Sequence, residues 1–498
     1  MNQTIRTFSI YELNPILTVN LKSEKKKNYK QSGERKLKPQ QTVLIQQSLL
    51  NDLEGYLIEP NKNYKKLKLD YLVYYASLLN SLPSQNRSND EDDFYKVSLD
   101  SRLLKKMYSS YSKCMDFLEI EGCIELVANY SIDKKKCKQY KLADKYVGDQ
   151  LIEYKITNHN LLKNLNNKII NEKMLYCIKK RPHLIKYFDD WLKIDYEKAE
   201  AIISGFLKTN YDKYISGKHI LSEFVSQDWK YSVKHSTDDR LHSSLTRLNK
   251  KLRNTVTYKN ENLCAVDIKT SQPFFLAVLL KAILKKDRGL FEKIGATKVL
   301  SDKMIDRLLS LNYDQKNVIE FINLILNGDF YTNFSQSLDI QYNEENKPFR
   351  MVVNYENKKR KIIDYSKPHR YETYETDREF SKSVIMEILF CSPNHNFIGT
   401  KAFKKSFPSV LNIINFIKNE CVELHRLLTN IESHCLLDVV ALKFTDKYPD
   451  IPIWSIHDAL VTTESNINLL KDEVEKGLRE ITTIKTLENN NIIVKEKW

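Results

Sequence analysis

At 498 residues, 29% charged and 42% hydrophobic, the chain has the length of two to four domains and the composition of a soluble globular protein. With only 11 Gly and 12 Pro it excludes collagen-like, linker-dominated and many-turned all-β architectures, and a mainly helical α+β fold is expected. Its 79 Lys and Arg against 64 Asp and Glu leave a net charge of +15, a field that concentrates phosphate-bearing partners, nucleic acid first; the competing reading is drift toward a composition rich in Lys, Asn, Ile and Tyr.

Residues 1–66 open with a polar, Lys-rich run and read as a basic arm, either touching a nucleic-acid backbone or merely solvated. Within 67–147, Leu69, Leu72, Val73, Leu78 and Leu79 predict an amphipathic helix, followed by the acidic loop SNDEDD. The stretch VSLDSRLLKKMYSSYSKCMDFLEIEGC predicts two short helices joined near Ser109 and Ser110, either of which can cap the second, with Gly122 ending it. Two strand-like runs, CIELVANY and CKQYKLAD, then bracket the basic turn SIDKKK. Residues 148–235 read as further helices without a chemical signature. The eight cysteines form no CxxC pair and lack a nearby His at zinc spacing, which predicts structural thiols in a reduced, cytoplasmic protein. The N-terminus has no secretory pattern, and the longest apolar run, Pro273 to Leu280, is cut by Lys281, so no membrane is expected.

The chemistry lies further on. In LCAVDIKTSQPFFLAVLL an apolar run delivers Asp267 to the start of a helical stretch, as a strand end presents a carboxylate to a metal. In IPIWSIHDALVTTE two β-rich runs flank His457 and Asp458, a hairpin with an acid at its turn. A lone Asp after a strand is more often a turn residue; two converging on Mg²⁺ ions can activate a hydroxyl and neutralise a leaving pyrophosphate. Between them Arg378, Lys382, Met386 and Phe390 recur every four residues, placing two cations, a thioether and an aromatic ring on one helical face, in the order that suits a nucleoside triphosphate. The alternative is an ordinary amphipathic helix with snorkelling cations. The segment NLILNGDFYTNF lies in the same interval, where it can help shape the active site; the competing reading, preferred here, is that Asp329 and Tyr331 are structural.

Helix, helix and hairpin with a basic tip resemble a winged helix-turn-helix, which implies DNA contact by Lys113 in the second helix and by Lys134, Lys135, Lys136 and Lys138 in the wing. The alternative is a packing domain with a solvated turn. Residues 236–475 resemble the single-subunit polymerase superfamily of phage-type RNA polymerases and DNA polymerase I-like enzymes. Asp267 with Ser271 matches its first motif, Arg378, Lys382 and Phe390 its nucleotide-binding helix, His457 and Asp458 its last motif, IESHCLLDVVALKF the helix before that motif, and DDRLHSS the segment that holds the primer-template backbone. The resemblance implies a right-hand palm, fingers and thumb with a small antiparallel palm sheet. It implies two Mg²⁺ ions on Asp267 and Asp458, triphosphate on Arg378 and Lys382, and sugar and base against Met386, Phe390 and Gln272. Primer and template fall to Arg240 and His457. Phe390 and Cys391 stand where the family has Tyr and Gly. Gln272 is bulky but uncharged where DNA enzymes carry Glu and phage-type RNA enzymes Gly, a lean toward DNA synthesis, while Ala459 resembles the RNA enzymes.

The expected organisation is therefore a basic arm (1–66), a winged-helix-like module (67–147), a helical linker or thumb-like region (148–235) and palm with fingers (236–498). The expected function is template-directed nucleotidyl transfer on a DNA template, with RNA as the alternative template, in replication or priming of a mobile or phage-like element. No proofreading exonuclease is expected. The rivals are a phage-type RNA polymerase and a non-catalytic DNA-binding initiator on a degenerate polymerase fold.

Overall fold

The computed structural model describes residues 41–58, 64–85, 96–131, 136–166, 172–233, 239–352, 355–357, 362–363, 370–393, 398–420, 423–484 and 493–498. The fold is α+β, mainly helical with antiparallel sheets. It forms two compact units, one from the described residues of Met1–Ser232 with His242–Leu263 and Trp498, the other from Val233–Leu241 and Cys264–Lys497.

In the first unit β1 (Gln41–Gln46) pairs antiparallel with a later strand, Leu151–Ile156, and runs directly into a helix, Gln47–Tyr56. These residues fall in the segment expected as a basic arm. From Gln41 onward the segment folds into this strand and helix, because Leu44, Ile45, Leu49, Leu50 and Leu53 supply an apolar face that is buried. Residues 1–40 lie outside the described residues. Helix α1 (Leu69–Gln85) follows the predicted periodicity and buries Leu72, Val73, Tyr75, Ala76 and Leu79.

Next come β2 (Val97–Leu99), α2 (Ser101–Met107), α3 (Tyr111–Ile120), β3 (Ile124–Ala128) and β4 (Lys138–Leu142). The three strands form one antiparallel sheet in the order β2-β4-β3. Val97 and Leu99, read from sequence as helical, instead point inward at alternate positions of a strand, and Asp100 caps α2 by accepting from Arg102 N. Ser110 stands at the start of α3, but its side chain accepts no capping bond. Gly122 does end that helix: its φ of +62° suits a residue without Cβ, and it lets Cys123 N reach back to Leu118 O at 2.7 Å. One core joins these pieces, with Ile45, Leu49, Leu72, Cys114, Phe117 and Leu161 packed together. Residues 148–235 add Leu151–Ile156 and a short strand, Leu192–Ile194, to the expected helices.

In the second unit the strand β5 (Glu261–Ile268, in this unit from Cys264) is flanked by Ala459–Thr463 and by Ile493–Lys497. It leads into α4 (Ser271–Leu284), apolar on every side and buried nearly throughout. Further on are α5 (Gln315–Asn327), α6 (Phe330–Ser335), α7 (Asp377–Phe390) and α8 (Leu424–Ser433). Helix α8 continues through a π-helical stretch, His434–Val440, into Ala441–Lys447. The hairpin of β6 (Trp454–Ile456) and β7 (Ala459–Thr463) closes through a two-residue turn, with Ile456 opposite Ala459.

Candidate functional site

Asp267 is the penultimate residue of β5, opposite Val494. Three residues later Thr270 takes φ +61° and ψ 42°, a left-handed conformation that costs a β-branched residue on the order of 1–3 kcal/mol and turns the chain sharply into α4. His457, with φ +53°, makes the second tight turn and delivers Asp458. Both turns open on one cavity of about 340 Å³ within the second unit.

Seven residues assigned to motifs in the sequence line that cavity: Asp267, Ser271, Gln272, Arg378, Lys382, Met386 and Asp458. They come from three segments far apart in the chain. The four-residue steps of α7 therefore do present two cations and a thioether to a common space. Phe390, one turn beyond, does not reach the cavity; it is 50% exposed and packs edge-on against His425 at 5.4 Å. His457 is exposed on the turn and does not line the cavity, and neither does Arg240. Lys113 and Lys136 belong to the first unit, where both are exposed, on α3 and beside the β3–β4 turn. Lys134 and Lys135 lie outside the described residues.

The cavity disfavours a charged carboxylate at Asp267, through burial and then through like charges. Burial first, then the Asp458 and Glu496 carboxylates, pushes the Asp267 carboxyl up to about 7. Among the described residues no group of three or more His, Cys, Asp or Glu side chains is arranged as a complete metal cage. The donors present are hard carboxylate oxygens, a set that suits Mg²⁺ where waters and ligand phosphates complete the shell, and the unbalanced charge at Asp267 is what a divalent cation relieves.

Sequence reading set aside or missed the residues that hold this site together: Asp329 and Tyr331 were read as structural, and Glu432 was not singled out. Asp329 accepts from Arg378 Nε at 2.8 Å, and the Arg378 guanidinium lies 5.4 Å from the centre of the Tyr331 ring, itself a cavity wall. Burial works to raise the Asp329 carboxyl, but the bond and charge of Arg378 bring it below its ordinary value. The two residues are set by an aromatic cluster in which Phe330 meets Phe321 at 5.4 Å and Phe334 meets Phe403 at 5.7 Å. The available signal was Gly-Asp followed by aromatics at helical spacing. The second omission is Glu432, 1% exposed, at the end of α8. Its Oε1 accepts from Arg240 Nε at 2.8 Å and from Arg240 Nη2; its Oε2 accepts from Ser271 Oγ at 2.6 Å and Gln272 Nε2 at 3.1 Å. Burial raises the Glu432 carboxyl and Arg240 opposes the shift. A glutamate four residues after Leu428 on an apolar stripe was the signal that could have found it. Immediately after it the helix widens into its π turn, a feature frequent beside functional sites.

No known protein-family model matches the chain, and no curated protein matches it as a relative.

Proposed function

We propose that this protein is a template-directed nucleotidyltransferase, a nucleic-acid polymerase of the single-subunit, right-hand kind. The observation that carries the reading is the convergence of Asp267, Asp458, Arg378 and Lys382 on one cavity: two repelling carboxylates and two cations are the charge pattern that a metal-bound triphosphate completes.

Asp267 and Asp458 would hold two Mg²⁺ ions, which when bound activate the attacking 3′-hydroxyl and neutralise the departing pyrophosphate. Arg378 and Lys382 bind the triphosphate. The ion pair with Asp329 and the face of Tyr331 fix the Arg378 guanidinium before substrate arrives, so less ordering is left for the binding step. Met386 offers an apolar, polarizable contact to the sugar and base. Thr270 and Ser271 bring the positive end of α4 to the cavity wall, where it favours bound anions. The sheet around Cys264–Ile268 is the palm and α7 belongs to the fingers.

The order helix, strand, helix, helix, hairpin in residues 69–142 supports a winged helix as the nucleic-acid-binding module, with the exposed Lys113 and Lys136 among its phosphate contacts. The chain then acts on a DNA template, taking nucleoside triphosphates, in replication or priming of a mobile or phage-like element. Among the described residues no helix is long and apolar enough to cross a membrane. Extension of a labelled primer with Mg²⁺ by the wild-type chain, and its loss in Asp458→Ala with template binding retained, is the expected result. Extension that survives in Asp458→Ala removes the mechanism.

A further inference from the structure

Gln272 is 6% exposed and lines the cavity, yet its Oε1 is buried without a hydrogen-bond partner among the described residues. A buried acceptor left open is costly, and its orientation here has a cause. Glu432 receives donors on both oxygens, two from Arg240 on Oε1 and one each from Ser271 and Gln272 on Oε2. An ionised carboxylate only accepts, so the Gln272 amide must turn its nitrogen toward Glu432, which leaves its oxygen on the other side.

We infer that Glu432 is a positioning residue that fixes the Gln272 carboxamide as a hydrogen-bond acceptor toward a bound nucleotide, so that the site selects its substrate through a donated sugar hydroxyl. The inference rests on the polymerase reading of the cavity. In a nucleotide whose phosphates meet Arg378 and Lys382, the sugar is the next group along the molecule and its hydroxyls are its only donors. Gln272 then acts as a specificity residue by accepting a bond, in contrast to the bulk that its size alone suggests from sequence. A hydroxyl on C2′ and one on C3′ share this chemistry, and analogues separate them.

The test is single-nucleotide incorporation on a primed DNA template, with Mg²⁺ and the full chain, comparing ATP with its 2′-deoxy, 3′-deoxy, 2′-fluoro and 3′-fluoro analogues. In the wild type, removing the responsible hydroxyl lowers kcat/KM about tenfold or more, and fluorine at that carbon, which accepts but does not donate, does no better than hydrogen. Gln272→Leu brings the hydroxyl-to-deoxy ratio near one. Glu432→Gln must keep its oxygen on Arg240 and offer its amide nitrogen to Gln272. The Gln272 amide then reverses, and the fluoro analogue gains about tenfold relative to the hydroxyl compound. A purely structural Glu432 would lower all five rates together, and that result overturns the inference, as does a wild type that uses every deoxy and fluoro analogue as well as ATP. If the wild type incorporates no nucleotide at all, the polymerase reading itself fails and takes the inference with it.

Discussion

Two buried glutamates, one in each unit, hold an arginine in much the same way, and they serve different ends. Glu223, 5% exposed, accepts from Arg247 Nη2 and from Ser244 Oγ at 2.8 Å and lies 3.2 Å from Lys230 Nζ. Glu432 accepts from Arg240, Ser271 and Gln272. Both obey the rule that a buried charge is paired and hydrogen-bonded. The partners of Glu223 are its near neighbours in sequence, and none of them lines the cavity of the second unit. Those of Glu432 are recruited from segments 160 to 192 residues away, and two of them, Ser271 and Gln272, do line it. A buried ion pair is thus no sign of function in itself; what distinguishes the second is that its hydrogen bonds end on an open acceptor at a cavity.

The comparison breaks most completely at the carboxylates that give the cavity its purpose. Asp267→Ala and Asp458→Ala should each bring synthesis to background in a primer-extension assay. The melting temperature should hold or rise without Mg²⁺, because each substitution removes one member of a repelling pair. The sealed cluster should respond in the opposite sense. Glu223→Ala leaves the largely buried Arg247 without its counter-charge and should cost about 3 kcal/mol in denaturant unfolding, with no change in the ratio of sugars used. A shift in that ratio would erase the distinction between the two glutamates.

Acid sharpens the same contrast. His219, beside the Glu223 cluster, has a buried Nε2 without a partner among the described residues, and burial, then Lys230 and Arg247, pushes its pKa down to about 3. The unfolded chain takes up that proton first, at its ordinary value of 6.5. The His219 contribution to stability is therefore complete above pH 6.5 and is lost as pH falls toward 3, by about 2 kcal/mol at pH 5. Asp267 runs the other way: its pKa is raised from 3.8 to about 7, so in the absence of metal its ionisation costs stability as pH climbs across that interval. His219→Leu should flatten the acid limb of a melting-temperature profile, and Asp267→Asn the neutral one.

How far sequence carried depended on the range of the interaction. The turn at His457 and Asp458, the strand ending on Asp267 and the cation stripe of α7 are local patterns, set by alternation, helical period and turn chemistry, and they were legible. The hairpin of β3 and β4 was legible for the same reason, whereas Val97–Leu99, three residues whose partner strand begins at Lys138, was absorbed into a helix. Glu432 escaped because a helix-forming residue within a helical stretch gives no local hint that Arg240 and Gln272 will fold onto it. Asp329 and Tyr331 were noticed and set aside, since nothing in their own segment says that Arg378 arrives beside them. Phe390 belongs to the same continuous stripe, but the cavity lining ends at Met386, which helical period alone does not reveal.

Asp329 gives the mildest and most discriminating change. Its bond to Arg378 Nε leaves the guanidinium's other nitrogens for an incoming phosphate, and the ring of Tyr331 supports the same cation from its face. Asp329→Asn keeps the shape and one acceptor but removes the charge, so Arg378 loses its ionic anchor while the carboxylates at Asp267 and Asp458 stay untouched. Preorganisation of the guanidinium is then weakened in the binding step and the carboxylate chemistry is left as it was. Steady-state kinetics should show a nucleotide KM about tenfold higher with kcat within a few-fold of the wild type. Were kcat to fall instead with KM unchanged, Arg378 would be acting on the transition state alone, and the Asp329 pair would be a determinant of the chemical step in place of a clamp on the ground state.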